Sequence, residues 1–291
     1  MACARWGFSF LDMPLSEIAV SGLSFAYRDK TTLTDINLTV KNDAKLAILG
    51  ANGSGKTTLA QFLAGWLPDG HTYGGSVTCD GRPWHEWPLA ERATMVQLIG
   101  QIPVRHLSAR AFTVREEVAF GPENLNLPLP EIRQRTERVL AQCRIEHLAD
   151  RDPFTLSGGE QQRLVIAASL ALHPKFLILD EPLTNLDPEA REHVLTLLDS
   201  LSSQCAVVLL ETNPDIALAF ADEYVLLGDA RICARGSARD VLLNVLSLEK
   251  LGLPAVPRAC RELGLFANLT DQELPLYLNE LQQMAGAQSH A

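Results

Sequence analysis

With 291 residues, 47% of them hydrophobic and 21% charged, the chain can bury the core of one large α/β domain with an appendage or of two small domains, and it lies far from disordered polypeptides in composition. Its formal net charge of −10 argues against sequence-independent nucleic-acid binding, which depends on Lys and Arg neutralising phosphates, so no nucleic-acid partner is expected. The apolar stretches Leu164 to Leu172 and Ala206 to Leu210 fall far short of the roughly 20 residues that a membrane-spanning helix needs. The opening Met1 to Phe10 lacks the pattern of a secretion signal, and Met13 is a second candidate for the natural start. Six scattered cysteines without a Cys-x-x-Cys pair point to reduced thiols rather than to a zinc or redox motif.

In chain order, Ile18 to Val40 reads as short alternating strands broken at Gly22 and Asp29, the grammar of antiparallel strands and turns. Lys45 to Leu49 is a continuous apolar run that suits a strand buried on both faces of a parallel sheet. A helix is predicted from Lys56 to about Leu67, ended by Pro68 and Gly70. From about Ile102 to Leu172 the strand signal disappears, and helical patterns such as Leu129 to Arg144 and Glu160 to Leu172 take over. Apolar runs return at Phe176 to Leu179, Ala206 to Leu210 and Tyr224 to Leu227, separated by helix-like segments such as Glu189 to Leu201, which implies βαβ units and a mostly parallel sheet. Beyond Gly236 short helices are expected, broken by Pro254, Pro257 and Gly264.

Gly50-Ala-Asn-Gly-Ser-Gly-Lys-Thr57 fits the P-loop pattern G-x-x-x-x-G-K-[ST] and sits where that pattern has meaning, between a buried strand and a helix. Gly50, Gly53 and Gly55 allow a tight turn whose backbone N–H groups, with those of Asn52, Ser54 and Thr58, face phosphates at the helix N-terminus. Lys56 neutralises β and γ oxygens, and Thr57 is a candidate Mg²⁺ ligand. The run Phe176 to Glu181 has the form of a Walker B strand, with Asp180 for the metal and Glu181 as the base that activates water. In Leu156-Ser-Gly-Gly-Glu160-Gln-Gln-Arg163, Ser157 reads as an N-cap, Gly158 and Gly159 leave backbone N–H groups bare, and Glu160 opens a helix whose tip attracts anions.

That last string resembles the signature of ATP-binding cassette (ABC) ATPases. The resemblance spans about residues 18 to 235 and implies a P-loop NTPase fold: a mostly parallel sheet, an N-terminal antiparallel β subdomain, a helical insertion at about 102–172, and MgATP as cofactor. It implies that the signature of one subunit contacts the γ-phosphate bound by another, so that two cassettes pair head to tail. It places Gln101 at the Q-loop as a Mg²⁺- and water-sensing residue, Tyr27 where an aromatic stacks on adenine, and Asp187 in a D-loop at the paired interface. One position departs from the family pattern: Asn213 stands where a switch histidine contacts the γ-phosphate. Asn offers one neutral hydrogen bond and no imidazolium charge, so slow hydrolysis is expected at this site.

Phe112-Thr-Val-Arg-Glu-Glu-Val-Ala-Phe-Gly-Pro-Glu-Asn124, together with the tail around Leu253 to Leu263, resembles the ATPases of energy-coupling factor (ECF) transporters, which take up vitamins or metal ions. The implied partners are a second ATPase subunit, identical or paralogous, a transmembrane coupling protein and a substrate-binding membrane protein, at the cytoplasmic face of the membrane. The implied division is a tail at 1–15, an ATPase domain at 16–235 and a helical extension at 236–291. A hydrolysis-poor sensing subunit and an ABC ATPase without a transport role are the alternatives.

Overall fold

The computed structural model describes residues 17–28, 30–66, 72–184, 186–201 and 204–242; the expected tail at 1–15, the expected breaks at Asp29, Pro68 and Gly70, and most of the expected extension at 236–291 lie outside them. The chain opens with β1 (Glu17–Tyr27) and β2 (Lys30–Lys41). In β1, Ile18, Val20, Leu23 and Phe25 are buried, and in β2 Leu33, Ile36, Leu38 and Val40 are buried, the alternation of a sheet with one face on a core. Gly22 does not break β1 as the sequence suggested. It has a φ of +61° in a stretch where the pairing slips register between Val20 and Leu23, so the strand bulges and continues. After β3 (Lys45–Leu49) and α1 (Lys56–Leu63) come β4 (Tyr73–Cys79) and the short β5 (Arg82–Pro83). Helix α1 ends four residues before the predicted Leu67, because Gly65, at φ +70°, turns the chain against Trp84.

Next come α2 (Leu89–Met95) and β6 (Val96–Ile99), followed by α3 (Val114–Asn124), α4 (Leu129–Gln142) and α5 (Gly158–Leu170) without an intervening strand. The chain then alternates through β7 (Phe176–Asp180), α6 (Pro188–Ser200), β8 (Ala206–Glu211), α7 (Pro214–Leu218) and β9 (Glu223–Gly228). It closes with β10 (Arg231–Gly236) and α8 (Ala238–Leu242).

Among the described residues these strands make two sheets. One is antiparallel, in the order β2-β1-β4-β5; the other has the order β10-β9-β3-β8-β7-β6, with β10 its one antiparallel strand. They are joined at their edges, where Thr34 N–H donates to the Ala230 carbonyl at 2.7 Å and the Arg235 guanidinium to the Thr39 carbonyl at 3.1 Å.

The central strands have no solvent face, which is why they read as unbroken apolar runs. Leu46, Ile48, Ile178, Val208 and Leu210 pack toward α1 and the antiparallel sheet. Ala47, Leu49, Leu177, Leu179, Val207 and Leu209 pack toward α5, α6 and α7. This two-sided burial fixes strand register, since a slip by one residue would exchange the faces. The carboxyl ends of β3, β7 and β8 therefore lie side by side, with Leu49 opposite Glu211 and Asp180 opposite Leu210. Ligands in open α/β sheets bind at such ends.

Gly75, at φ +81°, lies where a Cβ would meet Ser21 O at 2.4 Å and Gly22 C at 2.5 Å. Gly81, at φ +73°, has open space around it. Gly75→Ala is expected to cost about 2–4 kcal/mol, against about 1 kcal/mol for Gly81→Ala, as read from denaturant midpoints.

Candidate active site

The P-loop begins where β3 ends. At Gly50 a Cβ would meet Ser54 Oγ at 2.5 Å and the Leu227 carbonyl at 2.6 Å, and at Gly55, φ +102°, it would meet the Thr32 carbonyl at 2.6 Å. Both positions require glycine for reasons internal to the fold, whereas Gly53, φ +80°, faces open space and owes its glycine to conformation alone.

Lys56 is buried, 5% exposed, at the first turn of α1. Its Nζ donates to the Gly50 carbonyl at 2.8 Å and lies 3.2 Å from Glu181 Oε1. Glu181 Oε1 also accepts from Thr212 Oγ1 at 3.0 Å, and its backbone N–H donates to the Leu210 carbonyl at 2.9 Å. Glu181 adopts φ +49°, an unusual conformation for a residue with a side chain, which turns the chain away at the end of β7.

Thr57 Oγ1 donates to Asp180 Oδ2 at 2.6 Å, while Asp180 Oδ1 is buried without a hydrogen-bond partner. Burial, more than any neighbour, pushes the Asp180 carboxyl above its ordinary range; Glu181 raises it further, whereas the Thr57 hydrogen bond and Lys56 oppose the shift. A carboxylate desolvated in this way with one orphaned oxygen, beside a hydroxyl, is a donor set that suits a hard divalent cation, so the residues present fit Mg²⁺.

Tyr27, Lys30, Thr32, Asn52, Gly53, Gly55, Lys56, Thr57, Thr58, Gln101 and Glu181 line one cavity of about 260 Å³. Tyr27 is 39% exposed, its ring meets Phe25 edge to face at 4.6 Å, and its hydroxyl lies 3.4 Å from Gln61 Oε1. Gln101 is exposed just beyond β6; beside it Gly100 N–H donates to His106 Nε2 at 2.8 Å, and burial holds the His106 pKa low, favouring the neutral acceptor form.

Other predicted residues stand apart from the cavity wall. Ser54 Oγ is buried without a partner, and Asp180 is reached through Thr57. Asn213 is exposed and caps α7, its Oδ1 accepting from Asp215 N–H at 2.9 Å. Asp187 caps α6 by accepting from Ala190 N–H at 2.8 Å.

Ser157 and Glu160 form a capping box at the tip of α5: Ser157 Oγ accepts from Glu160 N–H at 3.4 Å and the Glu160 carboxylate accepts from Ser157 N–H at 2.7 Å. A Cβ at Gly158 would meet no atom within 4 Å, but one at Gly159 would meet Ala190 Cβ at 2.9 Å. The first glycine thus presents an uncovered face, and the second lets α5 sit against the first turn of α6.

The sequence reading overlooked Thr212, which holds Glu181, and Lys30 and Thr32, which line the cavity. It also overlooked Glu211, 1% exposed at the end of β8. The available signal was a charged residue closing an otherwise apolar strand.

A phosphate-ready loop, a buried lysine and two carboxylates at the carboxyl edge of a mostly parallel sheet define a P-loop nucleoside-triphosphatase. The model of the ABC transporter family matches residues 33–184. A protein of Pyrococcus abyssi that bears the name "Putative ABC transporter ATP-binding protein" is 38% identical over 81% of this chain and 86% of its own length. Another, of Caldanaerobacter subterraneus, is 36% identical over 91% of this chain, which spans only 47% of that relative. The solved structure of cbiO1 from Clostridium perfringens, part of the ABC transporter complex cbiONQ, is similar with a TM-score of 0.71 and 28% identity, covering 85% of this chain and 99% of that one. The dimeric ATP-binding cassette MJ0796, bound to ADP and phosphate, shares the fold at a TM-score of 0.66 and 24% identity, covering 75% of this chain and 97% of its own. The chain belongs to the ABC transporter family and has the α/β P-loop fold of its ATP-binding cassettes.

The Ser157 N–H bond holds the Glu160 carboxyl below its usual pKa. A depressed folded-state pKa stabilises above the unfolded value and loses that stabilisation as pH falls through the folded value. The thermal midpoint of the wild type should therefore exceed that of Glu160→Gln near neutrality, and the gap should close as pH is lowered from about 5 to about 3.

Proposed function

We propose that this chain is the ATP-binding and hydrolysing subunit of an ECF-type importer, closing on a second cassette around MgATP and passing that closure to membrane partners. The observation that carries the catalytic part is the meeting of Lys56, Thr57, Asp180 and Glu181 at one edge of the sheet. The ECF assignment rests on the Phe112 to Asn124 segment and on the likeness to cbiO1. Among the described residues no helix is long and apolar enough to cross a membrane, in keeping with a peripheral subunit that depends on other chains for passage.

In this reading Tyr27 stacks on adenine, and the amides from Asn52 to Thr58 bind phosphates together with Lys56. Thr57, Asp180 and Gln101 would hold Mg²⁺, which would supply positive charge against the phosphates. Lys56 leaves Glu181 as it turns to the phosphate oxygens, and Glu181, still aimed by the Thr212 hydroxyl, accepts the proton of the attacking water. Ser157, Gly158, Gly159 and Glu160 present the tip of α5, uncovered at Gly158, to the nucleotide of a second subunit, and Asp187 lies along that interface.

Lys56→Ala should abolish ATP binding by calorimetry, whereas Glu181→Gln should retain binding while turnover falls at least about 100-fold. Unaltered ATP affinity in Lys56→Ala would overturn the reading. In the complete assembly Asn213→His should raise ATP turnover, since an imidazolium at that place adds charge toward the γ-phosphate. ATPase activity that is fully developed without any membrane partner would favour a non-transport cassette.

A further inference from the structure

A second cavity, of about 190 Å³, opens where α4, the turn between α5 and β7, and the residues leading into β8 come together. It lies at the other end of α5 from Ser157 and at the other end of β7 from Asp180. Pockets for drug-sized ligands run from roughly 300 to 1,000 Å³, so this one suits a more compact occupant. Val139, Leu170 and Cys205, all buried, give it an apolar lining, and Arg138, His173 and Lys175 give it basic groups.

The fold holds each basic residue in place. Arg138 lies on α4, and its guanidinium donates to Gln204 Oε1 at 3.1 Å. His173 adopts φ +54°, and its N–H donates to the Leu170 carbonyl at 2.9 Å as the chain leaves α5. Lys175, just before β7, is fixed by its backbone: its N–H donates to the Met95 carbonyl and its carbonyl accepts from Ala206 N–H, both at 2.9 Å.

The positive charge gathered there lacks compensation. Among the described residues neither Arg138 nor Lys175 forms an ion pair. Arg135, by contrast, is paired with Glu131 at 2.6 Å and donates to the Ala171 carbonyl at 3.2 Å, so that carboxylate is already engaged. Cys205 adds no negative charge, because burial pushes its thiol up to about 12. Burial first, and then Arg135, Arg138 and Lys175, hold the His173 pKa low against the pull of Glu131, which favours a neutral imidazole. In a chain of net charge −10 such a cavity is a local exception, and an anion within it would relieve the mutual repulsion of its cations.

We propose that this cavity is a second ligand site, separate from that for nucleotide, and that it takes a compact phosphate dianion, either free or as the monoester of a small alcohol. Arg138 and Lys175 match its two charges, and the guanidinium offers the planar fork that suits phosphate oxygens. Gln142, Gln204 and the His173 imidazole add uncharged hydrogen-bonding groups, while the apolar lining leaves room for a short carbon chain. The site shares no lining residue with the cavity at Lys56 and Thr57, so its ligand does not compete with nucleotide.

The test is calorimetric titration of the full chain at low ionic strength with glycerol 3-phosphate and with inorganic phosphate. Each titration is run with and without a saturating magnesium complex of the β,γ-imido analogue of ATP. At least one of the two probes should bind with a dissociation constant of about 1 mM or tighter, whether or not the analogue is present. Tighter binding of glycerol 3-phosphate identifies an ester as the occupant, and equal or tighter binding of inorganic phosphate identifies the free ion. Arg138→Ala and Lys175→Ala, both at positions that reach solvent, should each raise the constant at least about tenfold. Should either fail to fold, Arg138→Gln and Lys175→Gln serve the same comparison. Failure of both probes to bind, or affinity unchanged in both variants, overturns the proposal. Binding that the nucleotide analogue abolishes places the phosphate on the P-loop and overturns it equally.

Discussion

Three strands of a parallel sheet end side by side, and almost everything chemical in this chain follows from where they end. β3 delivers the loop that holds Lys56, β7 delivers Asp180 and Glu181, and β8 delivers Glu211 and Thr212. None of these side chains is adjacent to the others in sequence except within its own strand end. They meet because strands buried on both faces cannot slip without exchanging one core for the other. The register of apolar residues as remote as Leu46 and Val207 thus sets the 3.2 Å contact between Lys56 and Glu181.

That contact is a largely buried ion pair at the cavity wall, and such pairs stabilise a fold less than their proximity suggests, because each charge has given up much of its hydration. Here the lysine is further held by the Gly50 carbonyl and the glutamate by Thr212. In the proposed function the arrangement is storage rather than glue: the cation and the carboxylate are kept in place beside the loop, each satisfied by the other until a bound phosphate would compete.

Much of this was legible in the residues. The glycine spacing from Gly50 to Gly55 and the acidic pair closing an apolar run state their chemistry locally, and the central strands are announced by uninterrupted Val, Ile and Leu. Other features depended on contacts that no local pattern contains. The end of α1 at Leu63 is set by Gly65 turning against Trp84, a residue far along the chain, so Pro68 was a misleading stop. Gly22 signalled a break because glycine in a strand commonly marks one, yet its neighbour across the sheet, Gly75, lets the two backbones close up around a bulge. β10 went unread because Arg231 to Gly236 is only partly buried and lacks strong alternation. Glu211 went unread because a terminal charge ordinarily means a solvated strand end, and its burial is decided by the helices on that side of the sheet.

The contact between Gly159 and Ala190 gives the fold a mechanical property. With no side chain at Gly159, the tip of α5 and the first turn of α6 meet closely, and close-packed surfaces transmit displacement better than loose ones. Leu186 packs near the same glycine, and Asp187 accepts from Ala190 N–H, so the two helix starts share one close-packed seam. In the proposed dimer, a partner seated on the Gly158 face would bear on α6, whose first turn Asp187 caps, with only this packed seam between them.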